Sequence, residues 1–201
     1  MIFLCEQGLI MKDNVSIEIK RAMPADYPGI LALQYANRPE QLSEADRQQG
    51  FIVSDFTTES LDTINKALGI LVATAGDDIA GFVCMVPTDP LPAHPVIQAM
   101  FKTFPQQVFR GETLDSMKVF IYGPVCINKK WRGRGILKQL FEGVQAFAGS
   151  DYDAGVAFIN DANQHSRSAH VQGLKMTPLT PFDCDGHRFQ LVAFSTESMV
   201  E

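Results

Sequence analysis

The segment Val125-Cys126-Ile127-Asn128-Lys129-Lys130-Trp131-Arg132-Gly133-Arg134-Gly135-Ile136-Leu137 holds the residue types best suited to bind a charged ligand. An apolar run leads into a basic turn with two glycines, and a helical pattern follows. The free N–H groups at a helix start and the helix dipole favour an anion. Glycine lets the backbone approach a phosphate closely, and Arg132 and Arg134 add positive charge beside it. The expected chemistry is capture of a pyrophosphate. A solvated basic surface is the plainer reading of Lys129-Lys130-Trp131-Arg132, but the Gly-Arg-Gly turn and helix that follow favour the anion site. Neither GxxxxGK[ST] nor a GxGxxG opening an early strand–helix unit is present, so the P-loop and dinucleotide folds are not supported. Proton-transfer candidates are Tyr122, Asp161, His165 and His170, none singled out by spacing.

The elements that must position these residues can be read from periodicity. Ser16 to Ala22 alternates as a strand, and Pro24-Ala25-Asp26 opens a helix carrying Tyr27, Ile30, Leu31 and Tyr35. Ser43 with Asp46 has the form of a capping box, and Thr58 to Leu68 is a further helix. Ile70 to Ala75 and Ile79 to Val86 are strands joined by Gly76-Asp77-Asp78. Residues 88–115 form a proline-rich insertion with a short helix around Val96 to Phe101. Its length suggests a lid at an acceptor site. Lys118 to Ile127 is a strand whose Gly123-Pro124 predicts a bulge or a splayed edge. Ile136 to Ala148 is a helix with Ile136, Leu137, Leu140, Phe141, Val144 and Phe147 on one apolar face. Val156 to Ile159 is a strand, Ala162 to Gly173 a helix, and Arg188 to Phe194 a strand after the turn dipeptide Asp185-Gly186. This order predicts an α/β fold: a mixed sheet with helices on its faces.

Composition narrows the function. The chain has 201 residues, 46% hydrophobic and 20% charged, which suits one globular domain over residues 15–197 after an N-terminal extension at residues 1–14. A net charge of −6 disfavours nucleic acid as a partner. No run is long enough to span a membrane, and the apolar start lacks the parts of a signal peptide. Four cysteines lie outside any CxxC spacing. Cys84 and Cys126 read as reduced core thiols, which fits a cytoplasmic location. No metal is expected: His165 and His170 share a helix face poorly, and Asp183, Asp185 and His187 fall at a hairpin tip. Phe51, Phe56, Phe101, Phe104 and Phe109 belong either to an apolar acceptor pocket or, by default, to the core.

The basic turn and the element order together resemble the GNAT superfamily of acyl-CoA N-acyltransferases. The family signature Q/R-x-x-G-x-G/A reads here Arg132-Gly133-Arg134-Gly135-Ile136-Leu137, with Leu137 where Gly or Ala is usual. The resemblance runs from about Ser16 to Phe194. It implies a central, mostly antiparallel sheet flanked by helices, with strands splayed at the cofactor site. It also implies direct transfer of an acetyl group from acetyl-CoA to a primary amine of a small molecule or peptide. Val125, Cys126 and Ile127 would line the pantetheine arm, Arg132 to Leu137 the pyrophosphate, and Asn163 and Ser166 match an Asn–Ser pattern that meets the cofactor arm. Ala169 stands where the family often has a tyrosine acid, which leaves Tyr122, His165 and His170 as catalytic candidates. A non-catalytic acyl-CoA-binding module is the alternative, and a homodimer is compatible with either.

Overall fold

The computed structural model describes residues 16–197; the N-terminal extension and the basis for placing its boundary lie outside the described residues. In chain order the elements are β1 (Ile17–Arg21), α1 (Tyr27–Ala36), α2 (Glu44–Arg47), α3 (Thr58–Ala67), β2 (Gly69–Ala75), β3 (Asp78–Pro87), α4 (Pro95–Phe101), β4 (Val108–Phe109), β5 (Glu112–Thr113), β6 (Val119–Ile127), α5 (Ile136–Ala148), β7 (Ala154–Asn160), α6 (Gln164–Arg167), β8 (Thr177–Cys184) and β9 (His187–Ser195). The helix expected from Ala162 to Gly173 is present from Gln164, but it widens from α to π geometry over Ser168–Gly173. The short β4–β5 hairpin inside the insertion has no strand-like periodicity, having two residues per strand, and was invisible to pattern reading.

Seven strands form one sheet in the order β1-β2-β3-β6-β7-β9-β8. Every neighbouring pair is antiparallel except β6 and β7, which α5 joins as a crossover. This is the mixed, mostly antiparallel α/β architecture expected from the sequence. β2 is buried along its whole length, because helices cover both faces of the sheet there; its continuous apolar run reflects this.

The packing falls into three clusters. α1 and α3 cover one face through Ile30, Leu33 and Leu61 against Ile70, Val72 and Phe82. α5 covers the other through Ile136, Leu140, Phe141 and Val144 against Leu71, Val83, Met85 and Phe120. Phe147, placed by periodicity on the same face, is instead 38% exposed, and Ala148 takes the buried position at the helix end. Its ring lies under the Arg21 guanidinium at 5.4 Å, which gives an exposed aromatic a partner. The third cluster is built by the insertion: Met100, Phe104, Phe109 and Leu114 pack on Val119, Ile121, Val156, Leu191 and Ala193 of the sheet.

Two irregularities in β6 shape the site. Opposite β3, Val83 faces Val125 while Met85 faces Tyr122, so β6 carries one extra residue at Gly123-Pro124. That bulge turns Cys126 toward the α1–α3 face, whereas Phe120 and Tyr122 face α5. On its other side β6 pairs with β7 only from Val119 to Ile121. Beyond Ile121 the two strands part. No helix among the described residues is long and apolar enough to cross a membrane.

Candidate active site

A cleft of 380 Å³ opens where β6 and β7 separate. It is lined by Val125, Cys126 and Ile127 of β6; by Trp131, Arg132, Gly133, Gly135, Ile136 and Leu137 of the turn and first turn of α5; by Asn163, His165, Ser166, Ala169 and His170; and by Asn37 and Gln49 to Ile52. The amides of Gly133 through Lys138 have no acceptor among the described residues. The first intrahelical bond is Gln139 N–H to the Gly135 carbonyl, at 3.1 Å. Gly133 and Gly135 sit at φ +74° and +75°, conformations that L side chains adopt at a cost, and a Cβ on either would meet nothing within 4 Å. The turn therefore presents six unpaired donors, at the positive end of the α5 dipole, around open space. That is an anion cradle built from backbone alone.

The strand beside it is equally available. Asn128 N–H bonds the Ala80 carbonyl at 2.9 Å, so by antiparallel alternation Cys126 also bonds toward β3, while Val125 and Ile127 turn their amides toward the gap left by β7. The Ile127 carbonyl is taken by Arg132 Nε at 3.2 Å. Arg132 Nη2 also donates to Asn37 Oδ1 at 2.8 Å, at the end of α1. The Arg132 side chain is thus a brace that fixes the turn, with its charge close behind the cradle. Arg134 does not line the cleft; its guanidinium lies 4.7 Å over the Trp131 ring. Lys129 pairs with Asp46 at 2.7 Å and Lys130 with Asp78 at 3.0 Å, so the basic run is largely tied into surface ion pairs.

Asn163 lies in the cleft wall with both ends of its amide engaged. Its oxygen accepts from Ser166 N–H at 3.2 Å, capping α6, and its nitrogen donates to the Phe51 carbonyl at 3.1 Å. That second bond fastens the segment Gln49–Ile52 against the helix. Ile52 N–H bonds the Asn37 carbonyl at 3.0 Å, which holds the same segment from the other side. Asn37, Gln49, Gly50 and Ile52 had no signal in the sequence, because they come from a helix end and an aperiodic loop. Of the five phenylalanines considered for a pocket, only Phe51 lines the cleft. Phe104 and Phe109 are buried under the sheet, Phe101 stacks on Phe104 at 4.2 Å, and Phe56 packs with α1 and α3.

The proton-transfer candidates separate clearly. Tyr122 does not line the cleft. Its hydroxyl is fully enclosed with no hydrogen-bond partner, and burial pushes its pKa well above the usual phenol value. Asp161 lies outside the cleft lining, 3.8 Å from Arg188. His165 is exposed at the rim. His170 lines the cleft at 5% exposure, with Nδ1 2.7 Å from the Ser166 carbonyl; burial lowers its pKa against the opposing pull of that carbonyl. Cys126 is protonated at neutral pH, burial having pushed its thiol up to about 12. Asp183, Asp185 and His187 flank the β8–β9 turn, and no group of three or more His, Cys, Asp or Glu among the described residues is placed to hold a metal.

Comparison with solved structures shows that the chain shares the fold of GNAT-family N-acetyltransferases. A GNAT-family acetyltransferase from Streptococcus agalactiae superposes with a TM-score of 0.63 at 15% identity, over 90% of this chain and 96% of its own. An N-acetyltransferase from Staphylococcus aureus gives 0.60 at 16%, over 90% and 99%. A Salmonella typhimurium protein assigned to the acetyltransferases, solved with its cofactor acetyl-CoA, gives 0.57 at 12%, over 92% and 96%. At these identities the likeness is one of fold. No family model matches the chain, and no curated protein matches it in sequence.

Proposed function

We propose that the protein is an acetyl-CoA-dependent N-acetyltransferase that moves the acetyl group directly to a primary amine of a small molecule or peptide. The observation that carries this reading is the run of unpaired amides at the head of α5, of which those of Gly133, Gly135, Ile136 and Leu137 belong to residues lining the cleft between β6 and β7. The residues fit the co-substrate. The cradle suits its pyrophosphate, and the free N–H groups of Val125 and Ile127 suit the carbonyls of the pantetheine arm, while the walls of Phe51, Ile52, Ile136 and Leu137 exclude water. Bound there, acetyl-CoA supplies an activated acyl carbon. The chain's own part is to hold it in line for an amine and to supply hydrogen-bond donors to the carbonyl oxygen. Direct transfer is favoured because the one thiol in the cleft, Cys126, is held protonated and so is a poor nucleophile.

The cleft has no Asp, Glu or Tyr in its lining, which favours a second reading: a module that binds acyl-CoA without turning it over. Following free thiol while the protein is mixed with acetyl-CoA and a panel of primary amines separates the two. Amine-dependent thiol release supports the enzyme. Tight CoA binding with no release on any amine supports the module, and no CoA binding contradicts both.

A further inference from the structure

His170 is the one buried histidine, the other three being exposed. It sits in the π-helical stretch Ser168–Gly173, where the wider turn leaves Nδ1 within 2.7 Å of the Ser166 carbonyl. A carbonyl only accepts, so Nδ1 carries the hydrogen and Nε2 keeps the lone pair. Ser166 Oγ stands 3.3 Å from the same Nδ1. Nε2 bonds to nothing among the described residues. The enclosed polar atoms without a partner there are Tyr122 Oη and Trp131 Nε1 alone, so Nε2 opens onto the cleft that the ring lines. Tyr122 of β6 packs edge-on at 5.8 Å, part of an aromatic group with Phe141 of α5 and Phe194 of β9. Tyr122 stays un-ionised, and no charged group contributes to the His170 environment. The ring is thus rigidly held, neutral and of defined tautomer.

We infer that His170 is the catalytic proton carrier of the transfer, taking the amine's proton on Nε2 and delivering it to the departing sulfur. This deepens the acetyltransferase reading and rests on it. The balance is simple. The amine nitrogen bonds to the acyl carbon while the carbonyl pair moves onto oxygen. Nε2 removes the proton that the nitrogen no longer holds. When the carbonyl re-forms, the C–S bond breaks with its pair on sulfur, and the imidazolium returns the proton there. The products are the amide and CoA thiol, with His170 neutral again. One group does the work of a separate base and acid: the lining holds no carboxylate or phenol, and its other histidine, His165, is exposed at the rim.

The test uses His170→Asn, whose amide N–H can keep the bond to the Ser166 carbonyl. With an amine that the wild type acetylates, kcat should fall about 100-fold or more while CoA affinity by calorimetry stays within about twofold. The wild-type kcat profile should lose rate toward acid below the ordinary histidine value of 6.5, and that limb should vanish in the variant. Ring-nitrogen NMR of the wild type, with His170 assigned by replacing the other histidines singly, gives a check that does not need a folded variant. It should report an Nδ1-protonated ring whose titration midpoint lies below 6.5. Unchanged kcat, a persisting limb, or a midpoint at or above 6.5 overturns the assignment of His170. A wild type that binds CoA but acetylates no amine overturns the enzyme reading, and this inference with it.

Discussion

Tyr122 and Cys126 show what burial does to groups that look reactive in a sequence. Tyr122 lies one residue before the β6 bulge, the position that made it a candidate acid. Yet its hydroxyl is sealed among Phe141, Phe194 and His170 with nothing to bond. An enclosed unpaired hydroxyl costs about 1–3 kcal/mol. Tyr122→Phe should therefore leave turnover at the wild-type level and leave the melting temperature unchanged or raised, which calorimetric melting and a thiol-release assay will show. Cys126 should be inert for a related reason. With its pKa pushed to about 12, about one thiol in ten thousand is ionised at pH 8. Mass spectrometry after iodoacetamide at pH 8 should find Cys126 unmodified, with acetyl transfer undiminished by any labelling at half-exposed Cys184; alkylation of Cys126 with loss of activity would revive a covalent route. The motif glycines and arginines were legible because their chemistry is local. The fates of Arg132 and Asn163 were not, because each is decided by a partner far along the chain, Asn37 for Arg132 and Phe51 for Asn163, and nothing in the spacing foretold that Arg134 would turn back over its near neighbour Trp131.

Among the elements, the insertion between β3 and β6 bears most on function. Its length suggested a lid at an acceptor site; none of its residues lines the cleft between β6 and β7, and Met100, Phe104 and Leu114 are almost wholly buried against β6, β7 and β9. It forms a third packing layer that covers the C-terminal half of the sheet on the α1–α3 face. Met100→Ala should therefore cost about 2–5 kcal/mol of stability, measured by urea unfolding, while CoA affinity changes by less than about twofold. A large affinity loss at unchanged stability would make the insertion part of the site after all. Pattern reading found α5 because it buries one continuous face, and the central strands because burial on both faces gives them continuous apolar runs. The strap at Gln49–Ile52, which closes one side of the cleft, left no such trace. It is held by scattered bonds to Asn37 and Asn163 rather than by a repeating pattern.

For the whole molecule, the sheet order and the splay were readable in outline because each follows from a local feature. The hairpin turns set the antiparallel ends, α5 sets the one parallel pair, and Gly123-Pro124 sets the bulge. What could not be read was the meeting of segments 95 and 112 residues apart in sequence, Asn37 with Arg132 and Phe51 with Asn163, that turns the split sheet into a walled cleft. The cradle at the head of α5 is the feature on which the function depends, and Gly135 allows it to be probed without breaking the fold. Asp tolerates positive φ better than most residues, at about 1 kcal/mol, and its side chain would enter open space. Titration of CoA into the wild type and into Gly135→Asp by calorimetry, with melting temperatures as a control, tests the claim most directly. Saturable CoA binding by the wild type and a loss of about 100-fold or more in a folded variant are the predicted result. A wild type that gives no binding heat, or a folded variant that binds CoA as well as the wild type does, would contradict it.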